Sequence, residues 1–418
     1  MRAIVACCVV FVCVTGNASS ADNLADVSVA DLGARCNGSA DDTSALQRAL
    51  DARASRVVRL PPGRCRITGM LTLSTDGLRI IGAGAGVTSL VADFEHNAEN
   101  PASVLVTPKD PKTGFISNSG FEGISLVQGE RFRGGIGLEV VMANGFHWRD
   151  GEILGHGIGA EIVGGYNVFA DDIHINTMPN SGEAGTRDVQ LSAQRRADGS
   201  WFPPQGVHIS NFNWSGDASA EYGLEVRAGD GVYLANGYIG EAKRCEMRVS
   251  ADPLEKFVST VNLTGVYLDG NFKSSCGAEI GKHAVDIKFS GATIANFADD
   301  CLEIADNSIL AVTVSGGVLM RCKAAIAMRG GEGLVLNGAS LFSTGPIRIG
   351  NHVRGPIAIS GNAFVRPTGN DSPIVIEDDG DHSPLPAVVS VFGNAFARPG
   401  PPVRAEAPAP HLVVTPAP

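Results

Sequence analysis

Aromatic residues make up only 6% of this 418-residue chain, and the 33 Lys and Arg are outnumbered by 44 Asp and Glu, for a net charge of −11. So few aromatics suit aliphatic stacks and tight turns better than one thick globular core. The shortage of positive charge argues against nucleic acid, whose binding needs a basic surface to release phosphate counterions. It argues equally against docking on anionic membranes. Neutral or cationic ligands remain, as do anionic ligands bridged by calcium. No long apolar run follows residue 21, so no later segment is expected to span a membrane. There is no Cys-x-x-Cys and no Cys/His cluster, which excludes an obvious zinc site. No Asp-x-Asp-x-Asp calcium motif occurs either.

What is present begins with a leader. Residues 1–21 read as a signal peptide: Arg2 is the charged start, Ile4 to Val14 the apolar run, and Ala18-Ser19-Ser20 or Ser19-Ser20-Ala21 the cleavage site. The expected location is secreted or periplasmic. Cys7, Cys8 and Cys13 leave with the leader. Cys36, Cys65, Cys245, Cys276, Cys301 and Cys322 remain, an even set for an oxidising compartment. Hydrophobic residues at 44% exclude a largely disordered chain. Yet single cores stop growing near ~250–300 residues. The chain therefore has several domains or an elongated fold, and its 52 glycines favour many turns.

A repeat decides between these. Its form is apolar, any, Gly/Asn/Asp, any, any, apolar. It runs from Phe121/Gly123/Leu126 and Trp148/Asp150/Ile153 through Leu263/Gly265/Leu268 and Phe289/Gly291/Ile294 to Val391/Gly393/Phe396. Copies lie 22 to 39 residues apart. The apolar period is 2, which excludes helical repeats. The units are too short for propeller blades. A second strand follows in most turns, as in Leu138-Glu139-Val140 and Leu302-Glu303-Ile304. The sequence thus predicts an all-β, parallel β-helix of about twelve coils, ~55 Å long at ~4.8 Å per rung. Its predicted parts are an N-terminal cap over 22–56, the coil over 57–397 with a hairpin insertion near 178–205, and a loose Pro-rich tail over 398–418. Within the cap, residues 41–50 read as an amphipathic helix closing the first open edge, with Ala45, Leu46, Ala49 and Leu50 on one face.

Four motifs stand in order over residues 29–92: Asp31-Leu32-Gly33-Ala34, Asp41-Asp42-Thr43 with its helix, Leu60-Pro61-Pro62-Gly63, and Leu78-Arg79-Ile80-Ile81-Gly82-Ala83-Gly84. This stretch resembles the N-terminal part of the pectate-lyase-3 group, the rhamnogalacturonase/epimerase-like β-helix proteins. The resemblance implies a right-handed parallel β-helix with a helical cap and a polysaccharide partner. The group holds hydrolases, lyases, epimerases, spikes and inactive binders, and related β-helices often trimerise. Gly82-Ala83-Gly84-Ala85-Gly86 is no dinucleotide fingerprint, because a strand-like segment follows it rather than a helix.

The outward position of the second strand is the richest column. It reads Glu139, Glu161, Gln190, Glu225, Arg248, Glu279, Glu303, Ala327, Arg348 and Val375. Carboxylates stacked ~4.8 Å apart raise each other's pKa unless a cation or proton offsets them. Such spacing suits the paired carboxyls of glycosidases. A solvated acidic face is the plainer reading. Asp299-Asp300-Cys301-Leu302-Glu303-Ile304 resembles the paired aspartates of polygalacturonases, and Gly155-His156-Gly157 their histidine motif. His156 lies several turns before the aspartates, so the two motifs are not expected to meet. Glu279, Asp299, Asp300 and Glu303 are the first candidates for acid and base, and His156 with Glu161 the second. Asp171, Asp172 and His174 lie near the second pair in sequence. Glu139, Glu225, Arg248, Trp201 and Phe202 are candidate substrate contacts, the last two from the hairpin, where they equally suit packing. Hydrolysis is favoured slightly over elimination, because only Arg248 and Arg348 in the column offer a lyase base. No cofactor is expected, calcium entering only with a lyase. A non-catalytic polysaccharide-binding or surface-structural protein is the alternative.

The register also suggests disulfides. Cys245 and Cys276 fall at equivalent positions of successive coils, and Cys36 and Cys65 flank the cap helix. Cys301 and Cys322 stand about three residues out of register.

Overall fold

The computed structural model describes residues 26–52, 56–177, 185–215, 220–251, 257–368, 372–378, 385–397 and 400–415. The expected leader, residues 1–21, lies outside them, as does 178–184 of the expected insertion. Of the 39 strands among the described residues, 37 join one continuous parallel array that winds through about thirteen turns. Each full turn crosses three faces. Face A holds Arg79–Ile81, Gly229–Ala235 and Ala284–Ser290; face B holds Tyr238–Gly240, Tyr267–Asp269 and Thr293–Ala295; face C holds Tyr222–Val226, Cys276–Ile280 and Asp300–Ile304. The long strands Ile136–Leu154 and Ile158–Asn176 run around all three.

The core is made of columns. On face A, Trp148, Ala170, Ile209, Leu234, Leu263, Phe289, Val314, Leu336, Ile359 and Val391 are successive register partners, all buried. The second apolar residue of each repeat forms the matching column on face B, from Ile153 to Phe364. Between them the chain turns a corner through the left-handed region. Gly123, Asp150, Asp172, Asn211, Asn236, Gly265, Gly291 and Gly316 all have φ between 47° and 67° there. A β-carbon disfavours that conformation, least for Asn and Asp, which explains the Gly/Asn/Asp position.

The cap matches its expectation. Helix Thr43–Asp51 buries Ala45, Leu46, Ala49 and Leu50 against the first turns. Asp42 does not cap it; its carboxylate accepts from the backbone N–H groups of Arg35 (2.7 Å) and Cys36 (3.0 Å). The coil starts earlier than residue 57, since Val27–Ser28 and Asn37–Asp41 already pair with it. The tail is not loose. Val403–Ala405 and Leu412–Val414 add a last turn by pairing with Ile374–Glu377 and Val388–Phe392. The prolines there occupy the connections, and three-residue strands suffice to extend the stack. Both ends therefore lengthen the coil beyond twelve turns.

Three disulfides join neighbouring turns: Cys36–Cys65, Cys245–Cys276 and Cys301–Cys322. The last pair bridges despite its offset, because Cys301 is in strand Asp300–Ile304 while Cys322 lies in the connection after Val318–Met320.

Candidate functional site

The face C column forms as expected. Glu139, Glu161, Gln190, Glu225, Arg248, Glu279, Glu303, Ala327, Arg348 and Val375 are partners rung by rung. Its acids have different surroundings. Burial, with Glu161 beside it, pushes Glu139 up to about 7. Glu161 accepts from Gln190 Nε2 (2.7 Å) and Ser192 Oγ (2.9 Å). Glu225 is 2% exposed and is gripped by Arg187 and, at 2.9 Å, by Arg248. Arg248 also reaches Glu279 at 3.2 Å, and Arg244 meets Glu279 at 3.1 Å. The guanidiniums of Arg187, Arg244 and Arg248 lie 5.5–5.6 Å from the ring centre of Tyr222. From Glu225 to Glu279 the column is a locked network of alternating charge, not a row of free acids.

The lower half opens. Below Glu303 the column falls to Ala327, and below Asp300 the partner is Ala324. At Ala327 this leaves a cleft of about 360 Å³ lined by Glu279, Asp299, Asp300, Glu303, Lys323 and Arg329, with Cys245 and Cys276 also in its wall. The first four candidates for acid and base therefore meet in one place. Asp300 and Glu303 both belong to strand Asp300–Ile304. Arg329, just past the next strand, binds Glu303 and approaches Asp300 at 3.5 Å. Lys323 pairs with the exposed Asp299 at 3.4 Å. Burial raises Asp300 above the usual carboxylate range, helped by Glu303 and Asp299 and opposed by Arg329 and Lys323. One carboxyl raised by burial thus stands beside others paired with cations. Arg329, Arg244 and Lys323 were not among the sequence candidates. The column position alone was read, whereas these cations sit beside it: Arg329 is two residues past Ala327 and Arg244 four before Arg248.

The second candidate pair separates. His156 is fully buried, with Ser103 Oγ 2.8 Å from Nε2 and Phe132 against its ring, and burial pushes it down to about 3. It is a neutral interior imidazole, and no hydrogen bond or ion pair joins it to the outward Glu161 among the described residues. Asp171, Asp172 and His174 fall respectively on face A, its corner and face B. The expected hairpin forms between Gln194–Arg195 and Trp201–Phe202. Phe202 packs on Tyr166 and Phe115, ring centres 5.0 and 5.8 Å away, and Arg196 lies over Phe115 and Phe202. Its work is to hold the hairpin on the coil. Trp201 remains half-buried. Among the described residues the one His/Cys/Asp/Glu group with metal-ligand spacing is Cys36, Asp42 and Cys65, and its two sulfurs are already bonded to each other.

Residues 27–121 match the family described as rhamnogalacturonase A/epimerase, pectate lyase-like. No curated protein sequence matches the chain. Among solved structures, it is similar to the A-module of a mannuronan C-5 epimerase from Azotobacter vinelandii (17% identity, TM-score 0.52, covering 94% of this chain and 100% of that one). It is similar to PfbA, a surface adhesin of Streptococcus pneumoniae (14%, 0.64, covering 85% and 93%). It is also similar to a family 28 exopolygalacturonase of Yersinia enterocolitica (13%, 0.55, covering 90% and 79%). These likenesses concern the fold, a parallel β-helix, consistent with the right-handed coil that the resemblance implies.

Proposed function

We propose that the chain is a carbohydrate-active protein that cleaves a polysaccharide laid along face C, by hydrolysis rather than elimination. The observation that carries this is the pairing of Asp300 with Glu303 on one strand of the cleft, with Asp300 raised and Glu303 held by Arg329. Hydrolysis needs one carboxyl that gives a proton to the leaving oxygen and one carboxylate that attacks or activates water. Asp300 suits the first role. Glu303, or Asp299 acting through water, suits the second. Glu279 is tied to Arg244 and Arg248 and acts by positioning. Elimination from a uronate would use calcium or a free Arg base. The carboxylates of the cleft already carry cations, so their donor set does not suit a calcium ion, and the hydrolytic route uses none. The disulfides between turns support a secreted or periplasmic protein.

The alternative, a non-catalytic polysaccharide binder, is favoured by the same cations, which neutralise the acids of the cleft. The mature protein incubated with acidic and neutral polysaccharides separates the readings. New reducing ends without ultraviolet absorbance mean hydrolysis; absorbance of unsaturated ends means elimination. Binding without either product overturns cleavage. Asp300→Asn is expected to lower hydrolysis by about 10²–10⁴.

A further inference from the structure

Face A carries an exposed feature remote from the cleft. His147, Phe169, His208 and Tyr233 occupy the same outward position on four successive turns. Their rings stack with centres 5.0, 5.2 and 4.8 Å apart and planes within 12–13° of parallel. One turn above His147 that position is Gly120, and one turn above Gly120 it is Arg79. The stack ends because Gly120 has no ring to add. A slot of about 310 Å³ opens there, lined by Arg79, Gly120, His147, Arg149, Phe169 and Asp171 among others. Two rungs separate Arg79 from His147, ~9.6 Å. One ring in contact on both sides takes ~7–8 Å and two would take at least ~10.5 Å, so the gap has room for one ring and not two.

The slot's charges are unevenly engaged. Arg79 pairs with Glu122 at 2.5 Å. Asp171 accepts from Ser210 Oγ (2.7 Å) and Asn211 Nδ2 (2.8 Å). Arg149 stands between Glu122 and Asp171 in the next column, yet makes no hydrogen bond or ion pair among the described residues. The slot thus offers a flat ring face, the Arg79 guanidinium plane, and in Arg149 a cation that feels Asp171 at a distance but holds no ion pair. Desolvation, with Arg149 and Arg79 nearby, lowers His147, which favours the neutral imidazole beside these cations.

We propose that this slot binds a single acidic sugar ring of a polysaccharide, stacked between Arg79 and His147 with its carboxylate on Arg149. A second copy of the chain fits less well, because a slot one ring high is far from the ~1,000 Å² that a stable interface needs. The site would anchor polymer on face A while the cleft on face C works independently.

Calorimetric titration of the full mature chain with trigalacturonate and with maltotriose tests this. The acidic probe is expected to bind better. His147→Ala should weaken it about tenfold, the value of one ring-stacking contact. Arg149→Ala should erase the preference for the acidic probe, and Tyr233→Ala, at the far end of the stack, should change nothing. Both residues are exposed, so folding should persist, with circular dichroism as the check. Wild-type affinity for the acidic probe in both His147→Ala and Arg149→Ala overturns the proposal. So do equal binding of the two probes, no binding of either at millimolar concentration, and a dimer that His147→Ala dissociates. Cleavage assayed on the same variants keeps the two sites apart: polysaccharide hydrolysis can fail while slot binding stands, and the reverse.

Discussion

Asp300 and Glu303 share one guanidinium: Arg329 binds Glu303 and reaches Asp300 at 3.5 Å. Through this shared cation each carboxyl senses the charge state of the other, and the same cation limits how far burial can raise Asp300.

Removing Arg329 should therefore move a pH profile, not only a rate. A cation favours the ionised carboxyl, so Arg329→Ala should raise Asp300 further. If Asp300 is the proton donor, the alkaline limb of the hydrolysis profile should shift upward. Arg329→Lys should restore part of the original position. A lower rate at every pH with the limb unmoved would mean that Arg329 only shapes the cleft.

The fold was legible because a solenoid writes its core into local sequence. Each inward column recurs at the same place in every turn, so Phe289/Gly291/Ile294 could be aligned with its neighbours without knowing any contact. The acidic column was legible for the same reason. The cleft was less so. It depends on where the column turns small, at Ala327, and on cations reaching sideways from Arg329 and Arg244. Neither follows from one column read alone. His156 misled because its motif says nothing about which way a corner residue points. The final strands were hidden by prolines that lie between them.

The corner column makes a sharp test. Gly291 has φ 61°, and an added Cβ would meet nothing within 4 Å. Any penalty there is conformational, not steric. Gly291→Val should cost about 1–2 kcal/mol. Gly291→Asn should cost less, since Asn211 and Asn236 hold the same corner at φ 51° and 53°. Chemical denaturation of both variants reads the difference; equal losses would mean that the corner does not select its residue by backbone conformation.

The Cys245–Cys276 bond joins register partners in the wall of the cleft. Replacing both with Ser should lower stability by about 2–5 kcal/mol. Because these residues flank Glu279, the loss should come with a weaker KM for polymer. Unfolding curves alongside kinetics separate the two effects.

Two completely buried acids predict how stability follows pH. Asp188 accepts from Thr177 Oγ1 at 2.8 Å, and burial pushes it up to about 7. Glu246 accepts from Ser274 Oγ at 2.5 Å, and burial pushes it up to about 8. In the unfolded chain both would titrate near ~4. Between that value and about 7–8 the folded state therefore holds more protons than the unfolded one. Stability must fall as pH rises through this window and level off above it. Buried His156 works in the opposite sense: pushed down to about 3, it makes stability rise with pH up to its unfolded value near ~6.5. The difference between wild type and an Asp188→Asn/Glu246→Gln variant cancels the histidine. That variant should lose less Tm than wild type between pH 5.5 and 8.5, and should be at least as stable at the upper end. Parallel Tm curves across that range would show that neither acid holds its proton in the folded coil.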